Sequence, residues 1–146
     1  GRSEPHPIWG IRMTQHNVAR DRGLIFNCSK KMSTDAQIEQ EIQAKGLTAP
    51  RVTPADIEAN IAKEVFFTAA DGIAGRGLHS VTVTTEHSLL TFCVLTLRNG
   101  FTVTGESACA SPENFDAEVG RKIARANAVQ KIWPLMGYEL RTKLSK

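Results

Sequence analysis

Apolar positions along the chain follow three rhythms, and each predicts a different kind of element. In "TDAQIEQEIQAK", residues 34 to 45, Ile38 and Ile42 recur four apart among polar neighbours, Thr34 and Gln37 have capping-box spacing, and Gly46 can end the run, so a short helix is expected. After the linker "GLTAPRVTP", Thr53 and Pro54 supply a cap and a first-turn proline, and Ile57, Ile61 and Val65 continue one apolar stripe. This predicts a second helix to about Ala70, broken by the glycines of "DGIAGRG". That stretch reads as a flexible loop rather than a phosphate loop, because it follows a helix and lacks a Gly-Lys-Ser/Thr ending.

The rhythm then changes. "SVTVTTEHSLLTFCVLTL" is rich in β-branched and apolar residues and predicts one or two strands between Ser80 and Leu97. Asn99-Gly100 suits a type I′ hairpin turn, and "FTVTGESAC" is the returning strand, with Phe101 and Val103 on one face, Thr102 and Thr104 on the other, and Gly105 at a bulge or bend. Ser111 and Pro112 next open a helix expected to reach Trp133, where Pro134 stops it. Phe115, Val119, Lys122, Ala126, Val129 and Trp133 fall on one side and are assigned to the core, the lysine reaching out to solvent. "LMGYELRTKL" adds a terminal turn or short helix. The predicted class is α+β: a small antiparallel sheet with a central Asn-Gly hairpin, packed by N-terminal helices and a long C-terminal helix.

Composition narrows the class without changing it. A chain of 146 residues with 41% apolar content suits one domain, expected over residues 32 to 146. Residues 1–31 have mixed composition and no helical period, and read as a leader, tag remnant or flexible extension, the compact part starting near Met32. No apolar run approaches the roughly 18 residues of a membrane span, so a soluble, cytosolic protein with no membrane partner is expected. Cys28, Cys93 and Cys109 have no CxxC spacing and read as reduced thiols.

Net charge of +3 hints at nucleic acid until it is divided along the chain. Residues 1–31 carry six Lys/Arg against two Asp/Glu, and residues 32–146 carry twelve against thirteen. The surplus belongs to the leader. From Arg121 to Lys146, however, seven Lys/Arg face only Glu139, a local cationic surface that suits a small anion better than a long phosphate backbone, or else a solvated helix face. Arg121 and Arg125 share a side of the predicted helix with Glu118; they can converge on one anion or form an exposed, salt-bridged face.

Catalysis finds little support. His79 and His87 belong to no nucleophile or metal signature, Glu86 faces away from His87 if both lie on one strand, and Cys93, Cys109 and His87 lack a paired ligand motif. The expectation is a binding protein, with no catalytic residues, metal or cofactor.

The run NGF, then GESAC, PENFD and GRKIAR, closing in KIWPL, is specific in combination. On it the chain from Met32 onward resembles a family of small tailed-phage proteins that includes the anti-Thoeris proteins, which sequester cyclic ADP-ribose signals. The resemblance implies an α+β protomer assembling as a homodimer or a higher oligomer such as a hexamer. It also implies a sponge that holds a TIR-generated cyclic ADP-ribose isomer uncleaved in the cytoplasm of the infected bacterial host, with cyclic dinucleotides or trinucleotides as further ligands. Such a ligand offers an adenine face, base edges and two phosphates. Phe101 or Phe115 could stack on the base, Asn99 or Asn114 could read an edge, and Arg121 and Arg125 could bind phosphate, with the helix N-terminus in support. Phe115 also fits the core, and Asn99 fits the turn alone. Two other classes stay open: a phage accessory protein that binds nucleic acid, and an inhibitor that docks on a host enzyme through an apolar patch.

Overall fold

The computed structural model describes residues 34–77 and 80–146. The leader, the start near Met32, Cys28 and His79 lie outside the described residues. The element order is α1 (Asp35–Ala44), α2 (Pro54–Asn60), β1 (Ile61–Thr68), α3 (Ala69–Arg76), α4 (Thr85–Ser88), β2 (Leu90–Leu97), β3 (Thr102–Ala108), a 3-10 turn (Pro112–Asn114), α5 (Ala117–Gln130) and α6 (Ile132–Leu144). The class is α+β, built on a three-stranded antiparallel sheet of order β1-β2-β3.

Local signals set the helix starts. Thr34 and Thr53 each accept from the backbone of the residue three ahead, whose side chain in turn accepts from the cap's own N–H, closing two capping boxes. The second helix is shorter than the apolar stripe implied. It ends at Asn60, and the chain continues as β1, where Ile61 pairs with Leu97 and Thr68 with Thr91. Pairing with β2 overrides a pattern that was also compatible with a helix, and the run Val65-Phe66-Phe67 has the β-branched and aromatic content of a strand. The glycine-bearing stretch after it is no loop: Thr68 caps α3 through another capping box, and Gly77, at φ +64°, ends it. Between Ser80 and Leu97 only β2 is a strand; Thr85–Ser88 forms one helical turn, and His87 Nδ1 accepts from Thr84 N at 3.0 Å.

β2 and β3 pair from Leu90 with Ala108 to Thr96 with Thr102. Their connection differs from the expected type I′ turn, which needs positive φ at two residues. Here Gly100 alone is positive, at +90°. Gly100 N donates to Leu97 O at 2.9 Å and Leu97 N donates to Phe101 O at 2.8 Å, the bonding of a type I turn closed by a left-handed glycine.

One face of the sheet carries the core. Cys93, Leu95, Leu97 and Val103 meet Ala124, Ala128 and Ile132, with Ile57 of α2 beside them. The helix turns fully inward a different side from the one its large residues suggested: Gly120, Ala124 and Ala128 are buried, while of the expected core residues Val129 and Trp133 pack against the core only partly buried and Lys122 and Ala126 are exposed. The reason is the closeness of helix to sheet. A Cβ on Gly105 would run into the backbone of Ala124 and Ala128, so Gly105 admits the helix and marks no bulge. The long helix α5 is followed by a second helix, α6, as expected, but the break falls at Lys131 rather than at Pro134, which lies in the first turn of α6, where its missing N–H leaves no intrahelical bond unmade.

Candidate functional site

The six residues singled out for ligand binding fall at three places. Asn99 and Phe101 are at the hairpin tip. Asn99 Oδ1 accepts from Phe101 N at 2.9 Å, so the amide oxygen serves the turn, while Phe101 stands 55% exposed. The tip is tied to the α2–β1 junction: Arg98 N donates to Asn60 O at 2.9 Å, and Arg98 Nε donates to Ala59 O. An aromatic of this size held in water on an anchored turn is placed to stack on a flat partner.

Asn114 and Phe115 lie past the other end of β3. Pro112–Asn114 forms the 3-10 turn, Asn114 is exposed, and Phe115 is half-buried with its N–H on Pro112 O at 3.1 Å. Helix α5 starts after Asp116, whose Oδ1 accepts from Val119 N at 3.0 Å. The expected anion-attracting helix end therefore already holds a carboxylate of its own.

The arginines lie further along α5. Arg125 is 30% exposed and engaged at all three nitrogens: Nη1 and Nη2 donate to the two carboxylate oxygens of Glu58 at 3.1 and 2.8 Å, and Nε donates to Glu64 at 2.8 Å. This links α5 to α2 and β1. The hydrogen bonds that Arg125 donates to Glu58, then to Glu64, hold the guanidinium pKa above its ordinary value, and the bond that Glu58 accepts from Arg125 holds its carboxyl below its own. Arg121, one turn earlier, is exposed and has no ion pair among the described residues. The two guanidinium groups thus divide their tasks instead of converging, and Glu118 pairs with Lys122 at 3.6 Å rather than with either. Glu58 and Glu64 went unnoticed in the sequence, since no local spacing connects them to Arg125.

Distance separates these places. β3 has seven residues, so the tip and the 3-10 turn are about 23 Å apart at ~3.3 Å per strand residue. One protomer does not bring Phe101 beside Asn114, Phe115 or Arg121. A further feature missed in the sequence is a cleft of about 230 Å³ between α1 and the start of α6, lined by Ile38, Ile42, Val52, Pro54 and Trp133. On its wall Arg51 grips Glu39 with two 2.6 Å bonds, which hold the Glu39 pKa down at about 2.

Among the described residues no group of three or more His, Cys, Asp and Glu could hold a metal ion, and no helix is long and apolar enough to cross a membrane. Cys93 and Cys109 are buried free thiols, and burial, followed by the nearby Glu64 carboxylate, pushes the Cys93 pKa up to about 11. Residues 52–144 match the model of the phage protein (N4 Gp49/phage Sf6 gene 66) family. No curated protein and no solved structure matches the chain.

Proposed function

Because the chain belongs to the phage protein (N4 Gp49/phage Sf6 gene 66) family, we propose that it is an anti-defence protein that binds a cyclic ADP-ribose-type signal in the host cytoplasm and holds it without cleaving it. The observation that carries this reading is Phe101, 55% exposed on a tip anchored to Asn60 and Ala59. A rigidly held aromatic can stack on a base with little ordering penalty, and such stacking is worth roughly 1–3 kcal/mol. Arg121 is the guanidinium available for phosphate, with Asn114 near the same end of α5; Arg125 becomes a ligand group only by leaving Glu58 and Glu64. Since the tip and the start of α5 are a strand's length apart, a ligand touching both sets needs two protomers, the tip of one meeting the α5 end of the other. The minimum assembly is a homodimer, and a hexamer would repeat the same contact.

The test is isothermal titration of the full chain with cyclic ADP-ribose isomers, cyclic dinucleotides, cyclic trinucleotides and short single-stranded DNA. After binding, the protein is denatured and the released molecule identified by mass spectrometry. Tight binding of a cyclic ADP-ribose isomer recovered intact supports sequestration. Linear ADP-ribose accumulating with time overturns it, and affinity confined to DNA with a steep salt dependence replaces it with the nucleic-acid reading.

A further inference from the structure

Helix α1 carries an apolar stripe, yet none of its residues is buried. Asp35, Ile38, Glu39 and Ile42 recur at helical spacing on one face, and that face forms a wall of the cleft that Trp133 of α6 also lines. Ile38 stays 46% exposed there. Trp133 packs against the core on its other side, and its Nε1 is buried, so the indole presents carbon to the cleft. A volume of about 230 Å³ is the room of roughly eight waters at ~30 Å³ each, enough for a small organic molecule and too little for a nucleotide. None of the six residues assigned to the signal lines it.

Charge selects the occupant. The charged side chains lining the cleft are Asp35, Glu39 and Arg51. Arg51 donates Nη1 and Nη2 to the two carboxylate oxygens of Glu39, both at 2.6 Å, so these two charges cancel. Asp35 is half-buried, and its carboxylate has no ion pair among the described residues. An anion entering the cleft would meet Asp35 with no free cation to hold it, whereas a cation with apolar surface of its own satisfies both the carboxylate and the walls. We propose that the cleft binds a small organic ammonium ion, a primary amine on an aryl or alkyl body, with the ammonium group donating to Asp35 and the body lying against Ile38, Ile42 and Trp133. Asp35 and Ile42 are about 10 Å apart along α1 at 1.5 Å per residue, which accommodates a ring on a two-carbon arm.

NMR titration of the full chain with phenethylamine, phenethyl alcohol and phenylacetate tests this, read at the Trp133 indole N–H and the Ile38 and Ile42 amides. These probes share a ring and differ in charge. The amine should give saturable shifts with a Kd on the order of 1 mM, the alcohol should bind about tenfold or more weakly, and phenylacetate should give no shift. Asp35→Asn should leave the alcohol's affinity unchanged and bring the amine down to it, an outcome that disturbance of the fold cannot produce, since the retained alcohol binding reports an intact cleft. Absence of a saturable shift with the amine, equal affinity for amine and alcohol in wild type, or a preference for the amine that survives Asp35→Asn each overturns the proposal.

Discussion

Gly105 and Gly120 face each other's elements across the same helix–sheet contact, yet a methyl group added to each should have opposite consequences. At Gly105 the new Cβ meets main-chain atoms of Ala124 and Ala128, which move only if the whole helix moves. Gly105→Ala should therefore lower stability by about 3 kcal/mol or more. At Gly120 the nearest atom is Thr91 Oγ1 at 3.3 Å, a side-chain oxygen, and alanine gains about 1 kcal/mol of helix propensity over glycine. Gly120→Ala should stay within about 1 kcal/mol of wild type. Urea denaturation of both variants checks the pair, and equal midpoints for the two would refute the close-packing account of Gly105.

At the scale of the element, the Arg125 cluster fastens α5 to α2 and β1, and its strength should depend on pH. The Glu58 pKa is depressed in the folded protein, so its contribution is fully present above the ordinary carboxylate pKa of about 4.3 and is lost as pH falls through the folded value. Glu58 and Glu64 are 55% and 43% exposed, and solvent screening limits the pair to about 1 kcal/mol at neutral pH. Arg125→Met should accordingly reduce the melting temperature at pH ~7 and converge with wild type towards pH ~3. A gap that stays constant across the thermal scans would rule out the ion pairs as its source.

The same elements show what a sequence can and cannot reveal. Thr34-Gln37, Thr53-Pro54 and the Asn99-Gly100 hairpin were legible because their physics is local: a cap, a first-turn proline and a flexible turn act within a few residues. β1 was not legible, since Ile57, Ile61 and Val65 suit a helical stripe until β2 pairs with the second half of it. The buried side of α5 was hidden for a related reason. A helix lying close against a sheet buries Gly120, Ala124 and Ala128, which carry no hydrophobic signal, and leaves the bulkier positions at the flanks. Among the site residues, the groups themselves were legible, but the separation of Phe101 from Asn114 and Arg121 follows from strand direction, and the capture of Arg125 follows from Glu58 and Glu64 more than sixty residues away.

At the scale of the whole molecule, the separation of the tip from the start of α5 turns a question about affinity into one about stoichiometry. If each ligand is held by the Phe101 of one protomer and the Arg121 of another, Phe101→Ala and Arg121→Ala each impair every site in their own homodimers. Phe101→Ala should lose roughly 1–3 kcal/mol of binding energy, and Arg121→Ala roughly 1.5–3 kcal/mol if it supplies a charge-assisted bond. Equimolar mixing with free exchange makes half of the dimers mixed. In a mixed dimer one site receives both substitutions and the other receives neither, because the intact Phe101 comes from the chain lacking Arg121 and the intact Arg121 from its partner. High-affinity capacity should thus return to about a quarter of the wild-type value. Titration of the mixture with a cyclic ADP-ribose isomer, against each variant alone, measures that fraction. A site contained within one chain would give no recovery, since no protomer in the mixture carries both side chains, and that result would move the binding groups back onto a single protomer.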